Sequence, residues 1–250
     1  MRRGVAAVLA GAALALAGCG DDAPDRLVVS AAASLTEPLE RCAKDFDGAD
    51  VKLSFAGSDE LAAQIRRGVR PDVFAAANTA LPEALHREGL VAEPAVFATN
   101  ELAIAVRDGA DVATFQDLGD PGVTIAAGTP EVPVGAYTRK ALDRVADPLR
   151  ARILANIRSE EPNVLGVLGK VTQGAVDAAF VYASDMIGAG RGVHAIDVPT
   201  VLKPQVAYGV AIVADAPNPD AAERFVTSLR SGGCQAALAA AGFGPPGGEG

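Results

Sequence analysis

The stretch Leu27 to Phe46, LVVSAAASLTEPLERCAKDF, decides the fold. Its opening LVVSA is apolar and β-branched and predicts a strand, while LTEPLERCAKDF carries its apolar residues at helical spacing. Between the two lie alanines and the pair Ser34 and Thr36, and side chains this small hide nothing at the strand end. Whatever approaches there can reach the N–H groups of the first helical turn. Those groups have no partner within the helix and stand at the positive end of its dipole. The turn is therefore suited to an anion.

Working outward, the same alternation repeats. VKLSFA (51–56) reads as a strand, SDELAAQIRRG (58–68) as a helix, PDVFAAA (71–77) as a strand and TALPEALHREGL (79–90) as a helix. Strands alternating with helices of about ten residues predict right-handed βαβ units and a parallel sheet, an α/β class. NELAIAVRDG (100–109) reads as one long strand that carries the chain elsewhere. After it come TFQDL, the strand VTIAAG (123–128) and helices over 135–146, 148–157 and 163–174. AAFVYAS (178–184) is the next strand. QVAYGVAIVA (205–214) is a second long strand, followed by closing helices over 218–230 and 234–243. Two long strands flanking an α/β middle imply that the chain leaves a first domain and later returns to it. No solenoid repeat is evident, and GPPGGEG (244–250) reads as a flexible tail.

The chain starts with Arg2, Arg3 and the apolar run GVAAVLAGAALALAG, 15 residues long, ending in LAGC at Cys19. That run is shorter than the ~20 residues a transmembrane helix needs. A positive start, a short apolar run and small residues before a cysteine resemble the lipobox of bacterial lipoproteins. Residues 1–19 are thus expected to be a signal peptide, with Cys19 the lipid-modified N-terminus. Residues 20–26, GDDAPDR, form a tether, and no second apolar run is long enough to span a bilayer. About 225 residues remain, enough for one large domain or two small ones.

Acidic residues outnumber basic ones 31 to 22, for a net charge of −9. Such a surface repels nucleic acid and anionic headgroups, so neither is an expected partner. With Cys19 lipidated, Cys42 and Cys234 remain as an even pair in an oxidising compartment, and a disulfide between them is predicted. The alternative is two separately buried thiols.

Stations for chemistry lie at strand-to-helix turns. Ser34 and Glu37 have the spacing of a capping box, and Ser58 follows a strand and precedes a helix. Either serine can be a simple helix cap, and each also stands at the carboxyl end of a parallel strand, where open α/β sheets bind ligands. In TPEVPVGAYTRKAL, Pro130 and Pro133 stiffen the approach to a helix start, and Gly135 is expected to let a ligand near the backbone. Asn163 is a candidate cap for the next helix. Tyr182 ends an apolar strand, from which its hydroxyl can enter a cleft. His86 and His194 have no nucleophile or metal-ligand cluster at motif spacing beside them, and no G-x-S-x-G, H-E-x-x-H or Walker sequence is present, so an enzyme is not expected.

AAASLTEPL, SFAGSDELAAQIRRGVRPDVFAAAN, TPEVPVGAYTRKAL and FVYASD together resemble, in order and spacing, the periplasmic molybdate-binding proteins, extracytoplasmic receptors of molybdate ABC transporters. The resemblance runs from Leu27 to Phe243. It implies a two-lobed periplasmic binding protein fold of the second type, with lobe I over 27–100 and 206–243, lobe II over 101–205, and the ligand between them. It further implies that Ser34 and Ser58 donate hydroxyl and backbone N–H groups, that Val134 and Val164 donate backbone N–H groups, and that Tyr182 donates its hydroxyl. Gly57 stands where relatives often carry serine, and Pro162 removes one backbone donor. The implied ligand is molybdate or tungstate, held without cofactor and without protein–metal bonds. The implied partners are a membrane permease and its ATPase, for a monomer tethered outside the cytoplasm by its lipid. Another oxyanion receptor, chiefly for sulfate, and a structural lipoprotein without ligand are the other readings.

Overall fold

The computed structural model describes residues 26–247. The segment expected to be a signal peptide, Cys19 and the expected tether up to Asp25 lie outside the described residues. Two five-stranded sheets carry the chain. The first half supplies β1 (Arg26–Ala32), a 3-10 turn over Ala33–Leu35, α1 (Thr36–Lys44), β2 (Asp50–Ala56), α2 (Ser58–Arg66), β3 (Val73–Ala76), α3 (Ala80–Arg87) and β4 (Ala95–Asn100). The middle supplies β5 (Leu102–Arg107), β6 (Ile125–Gly128), α4 (Pro133–Leu142), α5 (Leu149–Asn156), β7 (Ile157–Glu161), α6 (Val164–Thr172), β8 (Ala178–Tyr182), α7 (Ala183–Ile187) and β9 (Val193–Asp197). Then β10 (Val206–Ile212), α8 (Pro219–Ser231) and α9 (Gly233–Ala240) close the molecule.

The first sheet has the order β2-β1-β3-β10-β4 and the second β7-β6-β8-β5-β9. Each has three parallel strands at one side, β2-β1-β3 and β7-β6-β8, and then an antiparallel strand, β10 or β5. Both sheets are therefore mixed, where the sequence pattern predicts a parallel one. The antiparallel members β4, β5, β9 and β10 cluster around the crossings between halves, which no βαβ alternation encodes. The central strands β3, β6 and β8 are buried along their whole length, as continuous apolar runs covered on both faces must be. Edge strands β2 and β7 instead alternate between partly buried and exposed or half-exposed residues.

The long strand expected over 100–109 is β5 alone, and a separate strand that the sequence pattern does not announce, β4, ends just before it in the other sheet. Asn100 ends β4 and Leu102 begins β5, with Glu101 between them. The Asn100 side chain fixes this break: its amide donates to Ser184 Oγ at 2.8 Å and its Oδ1 accepts the Glu101 N–H at 2.9 Å. The return crossing lies between Asp197 and Val206, where Lys203 Nζ donates to the Glu101 carboxylate at 2.5 Å. β7, with sequence IRSEE, was not anticipated, because a polar edge strand has no apolar run to announce it.

Cys42 on α1 and Cys234 on α9 form the expected disulfide, their Cα atoms 4.6 Å apart and 192 residues distant in sequence. It staples the last helix to the first. The tail expected to be flexible from residue 244 is held at its start: Gly244 exchanges two backbone hydrogen bonds with Thr99, and the Thr99 hydroxyl donates to the Pro245 carbonyl at 3.1 Å. Residues 248–250 lie outside the described residues. No helix among the described residues is long and apolar enough to cross a membrane.

Candidate functional site

All six parallel strands point their carboxyl ends at one small cavity between the sheets. The turn after β1 contributes Ala32, Ala33 and Ser34, that after β2 contributes Gly57 and Ser58, and Ala77 follows β3. From the other side, Val132, Pro133 and Val134 follow β6, Asn163 and Val164 follow β7, and Tyr182 ends β8. The space open to the centre of a water molecule is about 20 Å³, room for one compact ion or a water or two. No Lys, Arg, Asp, Glu or His is among the lining residues.

The five residues singled out from sequence, Ser34, Ser58, Val134, Val164 and Tyr182, all line this cavity. Ser58, Val134 and Val164 stand in the first turns of α2, α4 and α6. N–H groups in a first helical turn have no intrahelical acceptor, and three positive helix ends converge on one space. Pro133 opens α4 at a position where its missing N–H costs the helix nothing. Asn163 caps α6 as expected, its Oδ1 accepting the Gly166 N–H at 3.0 Å.

Neither serine caps its helix. Ser34 lies inside the 3-10 turn before α1, buried, with its hydroxyl 3.0 Å from the Tyr208 hydroxyl, so its spacing to Glu37 does not produce a capping box. Gly57 occupies the N-cap position of α2, which leaves Ser58 one residue inside, accepting the Ala77 N–H on its Oγ at 3.1 Å. A hydroxyl that accepts at its oxygen still has its proton to give. Ser58, which lines the cavity, thus keeps a proton free to donate. The role expected for Gly135 is also different. A Cβ there would stand 1.8 Å from the Thr129 carbonyl oxygen, so the missing side chain lets α4 pack against the end of β6.

Tyr182 is wholly buried, and its hydroxyl is a buried polar atom without a hydrogen-bond partner. Such a group costs roughly 1–3 kcal/mol unless something fills the cavity and accepts from it. Burial, then the neighbouring Tyr208, Tyr137 and Asp185, push this hydroxyl well above the ordinary tyrosine range. It stays protonated, and so a donor, at any physiological pH. The chain's three tyrosines form one stack. Tyr182 meets Tyr137 and Tyr208 edge to face, with ring centres 6.5 and 5.9 Å apart.

Sequence reasoning missed two supporting residues. Tyr208 on β10 reaches Ser34, and because burial holds its proton in place it can donate to Ser34 Oγ while Ser34 donates onward. Asp185 accepts the Tyr182 N–H at 2.8 Å and fixes the end of β8, with burial pushing its carboxyl up to about 7. The rarity of tyrosine in the chain was the signal for Tyr208. Nothing in FVYASD marks Asp185 beyond its place three residues after Tyr182. The two histidines serve elsewhere: His86 Nδ1 is 3.1 Å from the Val91 carbonyl and His194 Nδ1 is 3.1 Å from Asp108 at the surface. No group of three acidic, cysteine or histidine side chains among the described residues could hold a metal ion.

Residues 27–244 match the family described as bacterial extracellular solute-binding protein. The molybdate-binding protein ModA of Mycobacterium tuberculosis is 34% identical over 227 residues, covering 88% of this chain and 85% of that one. The molybdate-binding protein ModA of Escherichia coli is 31% identical over 225 residues, covering 82% and 85%. Among solved structures, the periplasmic molybdate-binding protein of Azotobacter vinelandii superposes with a TM-score of 0.79 over 88% of this chain and all of the other, at 22% identity.

Proposed function

The chain belongs to the bacterial extracellular solute-binding proteins, and we propose that it binds molybdate outside the cytoplasm, with tungstate as a near equivalent, and delivers it to an ABC importer. The observation that carries this reading is the chemistry of the cavity: hydroxyls and helix starts converge on it, and no charged side chain lines it. Near neutral pH molybdate is a tetrahedral dianion that only accepts hydrogen bonds, so a lining made of donors suits it. Hydrogen phosphate must give a proton to an acceptor, and the lining holds no carboxylate to receive it.

In this reading Ser34, Ser58 and Tyr182 give hydroxyl hydrogen bonds, and Ser58, Val134 and Val164 give backbone N–H groups. Fixed dipoles stabilise the dianion without a counter-charge, which reconciles an anion receptor with a net charge of −9. Each hydrogen bond to a charged group contributes about 1.5–3 kcal/mol. Five to seven of them, less dehydration and closure, leave roughly 8–12 kcal/mol, a micromolar to nanomolar ligand. Lobe I over 27–100 and 206–243 closes on lobe II over 101–205, with the crossings at Glu101 and before Val206 as the hinge. The protein acts as a monomer that binds and releases without chemistry, tethered by lipid on Cys19, with a permease and its ATPase as partners.

A spectroscopic test is available because the chain has no tryptophan and its three tyrosines stack at the cavity. Titration with molybdate is expected to change tyrosine fluorescence in a saturable, one-to-one manner, while phosphate leaves it unchanged. An unresponsive, folded protein would overturn the reading.

A further inference from the structure

Gly57 is held in a backbone conformation that any residue adopts, with φ −60° and ψ 139°. Conformational freedom therefore does not explain a glycine here; space does. A Cβ at this position would stand 2.5 Å from the carbonyl oxygen of Pro162 and 2.8 Å from Asp59 Oδ1. The Asp59 carboxylate ends a side chain that can swing away, whereas the Pro162 carbonyl is main chain and cannot. Gly57 precedes α2 in the first half of the molecule, and Pro162 joins β7 to α6 in the second. Backbone thus meets backbone across the cleft, at the rim of the cavity that Gly57 itself lines.

We propose that Gly57 and the Pro162 carbonyl form the stop that sets how far the two halves close, so that the bare α-carbon at position 57 determines how tightly the oxyanion is gripped. The proposal rests on the anion-binding reading above. On one side of the contact stands Ser58 and on the other Val164, each one or two residues away, so a separation imposed at 57 is passed to donors on opposite walls. A methyl group there props the cleft open and lengthens those hydrogen bonds together, although it touches no ligand atom.

The test is a graded series, Gly57→Ala and Gly57→Val, titrated with molybdate beside the unaltered protein. Molybdate affinity is expected to fall about tenfold to a hundredfold for alanine, the scale of an overpacked methyl group, and further for valine. The loss should lie in faster dissociation with association unchanged, because only the closed state is affected. The ligand-free variants should unfold at the temperature of the unaltered protein, since an open cleft relieves the contact. Small-angle scattering should show the ligand-induced compaction of the unaltered protein reduced in both variants. If the unaltered protein binds molybdate and Gly57→Ala binds it equally well and compacts equally, the stop is refuted while the binding reading stands. If the unaltered protein binds no molybdate, the binding reading itself fails. Reduced affinity with full compaction would also refute the stop, by placing the effect within one lobe.

Discussion

The two halves of the molecule follow one plan, three parallel strands and an antiparallel neighbour, yet they furnish the cavity in different ways. The first half offers hydroxyl side chains, Ser34 and Ser58, steadied from behind by Tyr208 and the Ala77 N–H. The second offers mostly main chain, at the starts of α4 and α6, where Pro133 and the Asn163 cap shape the helix ends. Tyr182 is the exception, a hydroxyl side chain that the second half brings to the cavity. The halves differ in bracing as well: the first carries the Cys42–Cys234 staple, and the second has no cysteine at all. One half is thus open to dissection by side-chain replacement, and the other largely hides its contribution from it.

The largest expected effect breaks the bracing. Cys42→Ser should cost about 2–5 kcal/mol of stability, by freeing the ends of a long loop in the unfolded chain. Denaturant unfolding measures it, and a loss below about 1 kcal/mol would mean that the packing of α1 against α9 suffices without the bond. Ligand-binding strength in the folded variant should be unaltered.

Next comes the first half's chemistry. Ser58→Ala should weaken molybdate binding by about 1.5–3 kcal/mol, since it removes a hydrogen bond to a charged group. It also strands the Ala77 N–H, so the ligand-free protein should lose some stability as well. Unchanged affinity by calorimetry would remove Ser58 from the site.

Tyr182→Phe sharpens the comparison at its exception. The ring's packing against Tyr137 and Tyr208 survives, and the unpartnered hydroxyl is lost. Binding should weaken by less than for Ser58→Ala, about 1–1.5 kcal/mol, while the ligand-free protein becomes as stable as before or more so. Weaker binding with lower stability would mean that the hydroxyl serves the fold. The smallest effect belongs to the second half's main chain: Val164→Ala should change affinity by no more than about 0.5 kcal/mol, because the N–H remains. A tenfold loss would mean that the side chain, not the backbone, is what the ligand meets.

The same division governs what could be read from the sequence. Strand and helix positions in the first half followed from periodicity, because β1, β2 and β3 are separated by amphipathic helices in plain alternation. β4 was invisible, since AVFATN runs almost directly into β5 with only Glu101 between them and no glycine or proline to mark the join. β7 was invisible for the opposite reason, being too polar to stand out. Ser34, Ser58 and Tyr182 could be picked out as side chains at strand ends. Val134 and Val164 could be placed only by resemblance to the molybdate-binding proteins, for a main-chain donor leaves almost no mark on residue identity. Tyr208, Asp185 and the approach of Gly57 to Pro162 depend on contacts between distant segments, which local pattern cannot carry.

The central claim, a neutral cradle of donors made for a fully deprotonated tetrahedral anion, is tested most directly by calorimetric titration of molybdate into residues 21–250, repeated in excess phosphate and in excess sulfate. The account predicts one-to-one binding in the micromolar to nanomolar range that survives excess phosphate, while the sulfate arm reads how far cavity size separates the two dianions. Abolition by phosphate would contradict it, whereas sulfate binding as tightly as molybdate would keep the cradle and make the protein a general receptor for such dianions.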